Sequence, residues 1–185
     1  MAGRPLALCT WRLTLHDKQE ASAVARIFDG EWTEWNTSSE DRYEVMTRAQ
    51  TVGIILDGPH SIKFDMRQWA NGGLVHHCDG RYFLSPDSSE GRSCGCPSSP
   101  IDRRALTRSG MGPQPNVTIA FRLASAPGVG IFRMRSVSWR FAENAMALKE
   151  EIGSNYEGVV WRISLHQVKV TTGVTYVKPV LAFTE

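Results

Sequence analysis

The chain has 185 residues, of which 42% are hydrophobic and 22% charged, and its formal net charge is +2. That is enough chain for one ordinary hydrophobic core, and the mixture excludes a disordered polymer. The small net charge excludes a strongly basic nucleic-acid binder while allowing a local basic patch, and no apolar run approaches the roughly 18 residues a membrane helix needs.

The opening stretch MAGRPLALCTWRLTLHD lacks the pattern of a secretory leader, because Pro5 interrupts it and Arg12 follows closely. That places the chain in the cytosol, where thiols stay reduced and clustered cysteines more often bind metal. Trp11, Leu13 and Leu15 alternate with Arg12 and Thr14, which predicts a half-buried strand. Asp17, with Glu20 three residues on, has the form of a capping box and starts a helix. Ala21, Val24, Ala25 and Phe28 line one face of that helix, and Gly30 is its predicted stop. Residues 43–46 and 51–56 read as strands, the second bounded by Asp57-Gly58-Pro59. Residues 65–70 read as a short helix ending at Gly72.

Residues 74–78 and 81–84 read as two strands joined at Asp79-Gly80, a dipeptide suited to a tight two-residue hairpin turn. The Ser-, Gly- and Pro-rich stretch 85–99 is a loop. Ser99-Pro100, with Asp102 in the first turn, opens a helix that carries Arg103, Arg104 and Arg108 and ends at Gly110. Val117, Ile119, Phe121 and Leu123 alternate as a strand, and 131–135 forms another. Phe141, Ala145, Leu148 and Ile152 have helical spacing, with Gly153 as the stop. Residues 159–170 and 174–183 close the chain as a hairpin around Thr172-Gly173. About eight strands with three or four helices make a mixed α+β fold, one domain over residues 1–185 with a metal-binding hairpin and loop at 74–97.

The stretch HHCDGRYFLSPDSSEGRSCGCP, residues 76–97, holds two of the five histidines and three of the four cysteines. Cys94-Gly95-Cys96 puts two thiols on one tight turn, and the loop can bring them back to Cys78. Three soft thiolates with one imidazole suit Zn2+ in a closed, structural tetrahedron. The fourth ligand is His76, which shares a strand face with Cys78, or His77 if the strand has already bent there. A closed set leaves no open position for catalysis, and the turn already explains Asp79, the nearest acid. The cluster of Arg103, Arg104 and Arg108 has the character of a phosphate or acidic-partner contact, and equally that of a solvated helix face. Of the six tryptophans, Trp11, Trp139 and Trp161 fall in core patterns, whereas Trp32, Trp35 and Trp69 lie near segment ends.

Several pieces together resemble one family. They are Trp32 to Asp41, the run Ile54-Ile55-Leu56-Asp57-Gly58-Pro59, Trp69, His76-His77-Cys78-Asp79-Gly80 and Cys94-Gly95-Cys96-Pro97. Further on come Ser109-Gly110-Met111-Gly112-Pro113, Gly130-Ile131-Phe132-Arg133 and Lys178-Pro179-Val180. In this order and spacing the chain resembles the phage and prophage recombination directionality factors that act with large serine integrases. Members also carry metal-binding or hydrolase labels.

The resemblance implies a non-enzymatic protein of the bacterial cytoplasm that binds its integrase and turns it from integration to prophage excision. It would meet DNA only through the integrase complex, and no membrane. Some similar proteins carry a further cysteine near the position of Pro113; with proline here, the resemblance implies a histidine ligand for a four-coordinate site. A metal-dependent hydrolase using Asp79, and a single-stranded nucleic-acid binder using the arginine helix and exposed tryptophans, are the rival readings.

Overall fold

The computed structural model describes residues 10–36, 38, 40–152, 159–169, 171, 173 and 175–183. The fold is α+β; the described residues form three α-helices, and the described ladders are all antiparallel. The chain divides into two compact units, the first from Met1–Asp57, Phe121–Phe132 and Glu157–Glu185, the second from Gly58–Ala120 and Arg133–Tyr156.

In the first unit, β1 (Arg12–Leu15) leads into α1 (Lys18–Ile27). Asp17 caps α1, its carboxylate accepting from the backbone N–H groups of Gln19 and Glu20 at 2.7 and 3.0 Å. The helix buries Ala21, Val24 and Ala25, the stripe predicted from spacing. Its end differs from the prediction. The left-handed residue is Asp29 (φ 47°). Gly30 serves a different need, because a Cβ there would lie 2.3 Å from the Met46 carbonyl oxygen. Strands β2 (Glu31–Glu34) and β3 (Tyr43–Met46) complete a sheet of order β1-β3-β2. The first of these escaped prediction because its EWTE sequence is mostly exposed and carries no apolar alternation.

The rest of the first unit is antiparallel. β4 (Thr51–Ile55) pairs with β10 (Val160–Lys169), which pairs with β11 (Thr175–Phe183) from Trp161↔Phe183 to Lys169↔Thr175. Gly173 has φ 80°, as the predicted turn requires; Thr172 lies outside the described residues. Trp161, Ile163 and Leu181 are buried, and Trp11 is buried with its indole N–H donating to the Gln50 carbonyl. Trp32 meets Tyr43 edge-on, with Lys18 over its ring, and Arg12 lies over Trp35, so both rings have partners in their own unit.

In the second unit, β5 (Ile62–Ala70) replaces the helix predicted for 65–70. Ile62 and Met66 are fully buried while Lys63 is exposed, a period of two that neighbours on both edges fix. β6 (Gly73–Cys78) pairs with one edge of β5, and β8 (Gln114–Leu123) with the other. β7 (Phe83–Ser85) extends the sheet beyond β6, and β9 (Phe132–Ser136) pairs with β8. The second helix, α2 (Pro100–Arg108), is capped by Ser99 as predicted. The third, α3 (Trp139–Glu151), is capped by Ser138 and buries Phe141, Ala142, Ala145 and Leu148. Its predicted stop, Gly153, lies outside the described residues.

Candidate metal centre

His76 and Cys78 stand on β6, two residues apart and on one face, opposite Gln68 and Met66 of β5. His77 lies between them and faces the other way, opposite Arg67. After Cys78 the chain turns, but not in the two residues that the Asp79-Gly80 dipeptide suggested. Asp79 Oδ1 accepts from the N–H groups of both Arg81 and Tyr82 at 2.7 Å, and Asp79 N–H donates to the Tyr82 carbonyl. Gly80 adopts φ 96°. An Asx turn thus widens the loop, and β7 resumes at Phe83 across a bulge between His77 and Cys78. These backbone bonds draw the Asp79 carboxyl below its ordinary pKa, the Tyr82 N–H most of all.

The return path brings the second pair of ligand types home. Phe83 N–H donates to the Arg92 carbonyl, Gly91 N–H to the Phe83 carbonyl and Cys94 N–H to the Arg81 carbonyl at 2.9–3.0 Å. Cys94 is thereby laid beside the start of the hairpin. Gly95 takes φ 72°, which a side chain would resist, and lets the chain double back so that Cys96 joins Cys94.

The ligand atoms of His76, Cys78, Cys94 and Cys96 all lie within 4.8 Å of one another. Cys78 Sγ is 3.8 Å from Cys96 Sγ, and Cys96 Sγ is 3.6 Å from His76 Nε2. Zn–S and Zn–N bonds of ordinary length, opened to the tetrahedral angle, put two sulfurs about 3.8 Å apart and a sulfur about 3.6 Å from a nitrogen. Those two edges match the Cys78–Cys96 and Cys96–His76 distances. No pair among these three thiols is bridged, and Cys78 and Cys94 are buried with Met66. Phe64, Phe83 and Trp139 close the apolar surround. The set can therefore hold a metal ion, and its donor chemistry is that of a soft divalent cation.

Burial pushes the Cys78 thiol well up from its ordinary pKa, against a backbone hydrogen bond from Gly80, and the neighbouring Cys96 adds to the rise. Burial also raises Cys96, with Cys94 second. His76 moves the other way, lowered first by burial and then by the charge of His77. Without a cation, burial therefore favours the neutral forms of Cys78, Cys96 and His76.

His77 belongs to a separate polar row. Its Nδ1 is 2.8 Å from Ser85 Oγ and its Nε2 3.7 Å from Asp65 Oδ1. The order Ser-His-Asp invites comparison with a catalytic triad. Asp65, however, already accepts two bonds from the Arg67 guanidinium and two contacts from the Asn116 amide. Asp65 is thus held chiefly by Arg67 and Asn116, and its 3.7 Å approach to His77 Nε2 is longer than a hydrogen bond. This row ties β8, β5, β6 and β7 together on the face away from the thiols. Sequence spacing alone offered no sign of it.

Of the three arginines singled out on α2, two are engaged within the molecule. Arg103 donates to the Pro97 carbonyl at 2.5 Å and to the Gly80 carbonyl at 2.8 Å. These carbonyls lie one residue beyond Cys96 and two beyond Cys78, so Arg103 pins both ligand-bearing segments. Arg104 pairs with Glu143 of α3 and lies over the Trp139 ring. Both guanidinium groups thus have partners within the molecule, and Arg108 is exposed.

A family model described as Gp3-like, recombination directionality factor-like, matches residues 2–183. The chain belongs to this family. The match takes in every described strand and helix, the Cys/His cluster included. No solved structure matches the chain. The recombination directionality factor-like protein therefore carries a regulatory family assignment together with a cluster able to hold a metal ion.

Proposed function

We propose that this protein is an adaptor that binds a large serine integrase and directs it to prophage excision, with His76, Cys78, Cys94 and Cys96 holding a structural Zn2+. The family match over residues 2–183 carries this reading. The integrase supplies all bond breaking; the adaptor supplies differential affinity. To carry an integrase complex from one percent to ninety-nine percent of the excision-competent arrangement, the adaptor must bind that arrangement about ten-thousandfold more tightly than the other. A net charge of +2 suits a protein-binding adaptor that reaches DNA only through the integrase. The site of action is the cytoplasm of the bacterial host, where the integrase and the prophage DNA reside.

The zinc reading rests on the two tetrahedral edges and the three-sulfur, one-nitrogen donor set. Four protein donors close the coordination shell, which favours a structural over a catalytic ion and weighs against the hydrolase reading. The ion would supply cross-linking, joining β6 to the loop that returns after β7.

The test is a recombination assay with purified integrase from the same genetic element, on substrates carrying the hybrid sites and on substrates carrying the phage and host sites. Added protein should raise recombination of the hybrid pair and suppress that of the other pair. No change on either substrate, with stoichiometric protein, refutes the reading.

A further inference from the structure

We propose that this protein pairs with a second copy of itself through the free edge of β2, each copy placing its Glu34 in a cationic groove of the other. β2 ends the sheet order β1-β3-β2, and among the described residues no strand lies on its other edge. In an antiparallel ladder alternate residues turn their backbone N–H and C=O groups to one side, and the residues between turn theirs to the other. Trp35 N–H donates to the Arg42 carbonyl at 2.8 Å, which sets the phase of this ladder. Thr33, opposite Glu44, and Glu31, opposite Met46, therefore bond to β3, while Trp32 and Glu34 turn their backbone groups to the open side. An edge of this kind is a template for another strand.

The side chains along this edge carry both halves of an ion pair. Trp32 turns towards α1, where Lys18 Nζ lies 5.1 Å over its ring. With Gln19, Ser22 and Arg26, these two residues line a groove of about 420 Å3 between α1 and β2. Lys18, Ser22 and Arg26 recur every four residues and so share one helix face. Among the described residues no carboxylate pairs with Lys18 or Arg26, and no cation pairs with Glu34. Glu34 is exposed, whereas the other glutamate of the strand, Glu31, meets Arg48. Each copy thus offers an unmatched acid on its open edge and an unmatched cationic groove beside it.

The phase of the ladder selects the register. A second β2 running antiparallel exchanges backbone bonds where outward residues meet outward residues. About a two-fold axis at Thr33, Trp32 stands across from the partner's Glu34, and Glu34 across from the partner's Trp32. Residues directly opposite share a face, so the partner's Glu34 enters the groove beside Lys18. The same contact forms twice, as an isologous pair requires. A shift of two residues one way sets Glu34 against the partner's Glu34, like charge on like. A shift the other way carries the partner's Glu34 past Trp32 to the level of Gly30. The register centred on Thr33 satisfies the backbone and the charges together, and joins the two sheets into one.

Sedimentation velocity on the full chain over a range of concentrations tests the pairing. The wild type should pass from monomer to dimer as concentration rises. Glu34→Lys should weaken dimerisation at least tenfold, and so should Lys18→Glu combined with Arg26→Glu. An equimolar mixture of these two variants should recover a mixed dimer, because each then supplies the charge the other's groove needs. Thr33→Cys reads the register directly: non-hydrogen-bonded partners lie about 4.5 Å apart at Cα, so mild oxidation should link two chains through it. Glu31→Cys, which faces no copy of itself, should not link. Where a charge variant melts lower than the wild type, the cysteine cross-link decides alone. A wild type still monomeric at about 1 mM chain overturns the proposal. A dimer that withstands Glu34→Lys, or one that Thr33→Cys fails to link, places the contact elsewhere and overturns it equally.

Discussion

Replacing Cys94 with serine is the sharpest perturbation of the metal centre. Cys94 is 8% exposed and shares a small buried cluster with Met66 and Cys78. It is also held by its own N–H to the Arg81 carbonyl, so the backbone does not depend on the sulfur for its position. The substitution therefore removes a ligand with little change of shape. A structural zinc supplies about 10–16 kcal/mol in small domains, or roughly 2.5–4 kcal/mol for each of four ligands. On that scale the serine variant should bind zinc about a hundredfold to a thousandfold more weakly. A loss of about 3 kcal/mol lowers the melting temperature of a chain this long by roughly 6–12 °C. Elemental mass spectrometry on protein purified without a metal-binding tag should find one zinc per wild-type chain and far less in the variant, and calorimetry should show the fall in melting temperature. Equal melting temperatures with and without chelator, or zinc retained in Cys94→Ser, would refute the reasoning.

Three further outcomes follow from the same geometry. His76→Ala should lose the metal, whereas His77→Ala should keep it and cost only about 1 kcal/mol through the lost Ser85 contact, as metal analysis with thermal melts will tell. Gly80→Ala places a Cβ 2.6 Å from Arg103 Nη1 at a φ of 96°, so it should destabilise by roughly 1–3 kcal/mol and weaken metal retention, read by chelator competition. The pH dependence should change sign with metal. In the metal-free fold, burial raises the Cys78 and Cys96 thiol pKa values above those of the unfolded chain. The unfolded chain therefore sheds protons first, and metal-free stability falls as pH rises past the ordinary thiol range. Metal binding must displace all three thiol protons, those of Cys78, Cys94 and Cys96, so apparent zinc affinity should rise about a thousandfold per pH unit below that range. Denaturant melts and competition titrations from pH 6 to 9 measure both slopes.

Much of the local structure was legible in the chain. The caps at Asp17 and Ser99, the buried stripes of α1 and α3, the alternation of β8 and the closing hairpin follow from periodicity and capping chemistry, which act over a few residues. Residues 65–70, read as a short helix ending at Gly72, belong instead to strand β5. In the fold the charges of Asp65 and Arg67 neutralise each other on one face of β5, and Asn116, 51 positions away from Asp65, helps hold them. Such a partner is invisible to any local window.

The sequence by itself determined the donor types, since three cysteines and two histidines within residues 76–97 restrict the chemistry to a soft cation or a plain loop. Only the tertiary structure decided which imidazole turns to the sulfurs. Pairing of β6 with β5 fixes which way each side chain points, and it sends His76 toward Cys96 and His77 toward Ser85. It likewise decided the fate of the arginines, because Arg103 and Arg104 find their partners in Gly80, Pro97 and Glu143, while Arg108 is left outward. Local patterns determine which elements form; side chains brought from distant positions determine what each element has left to offer a partner.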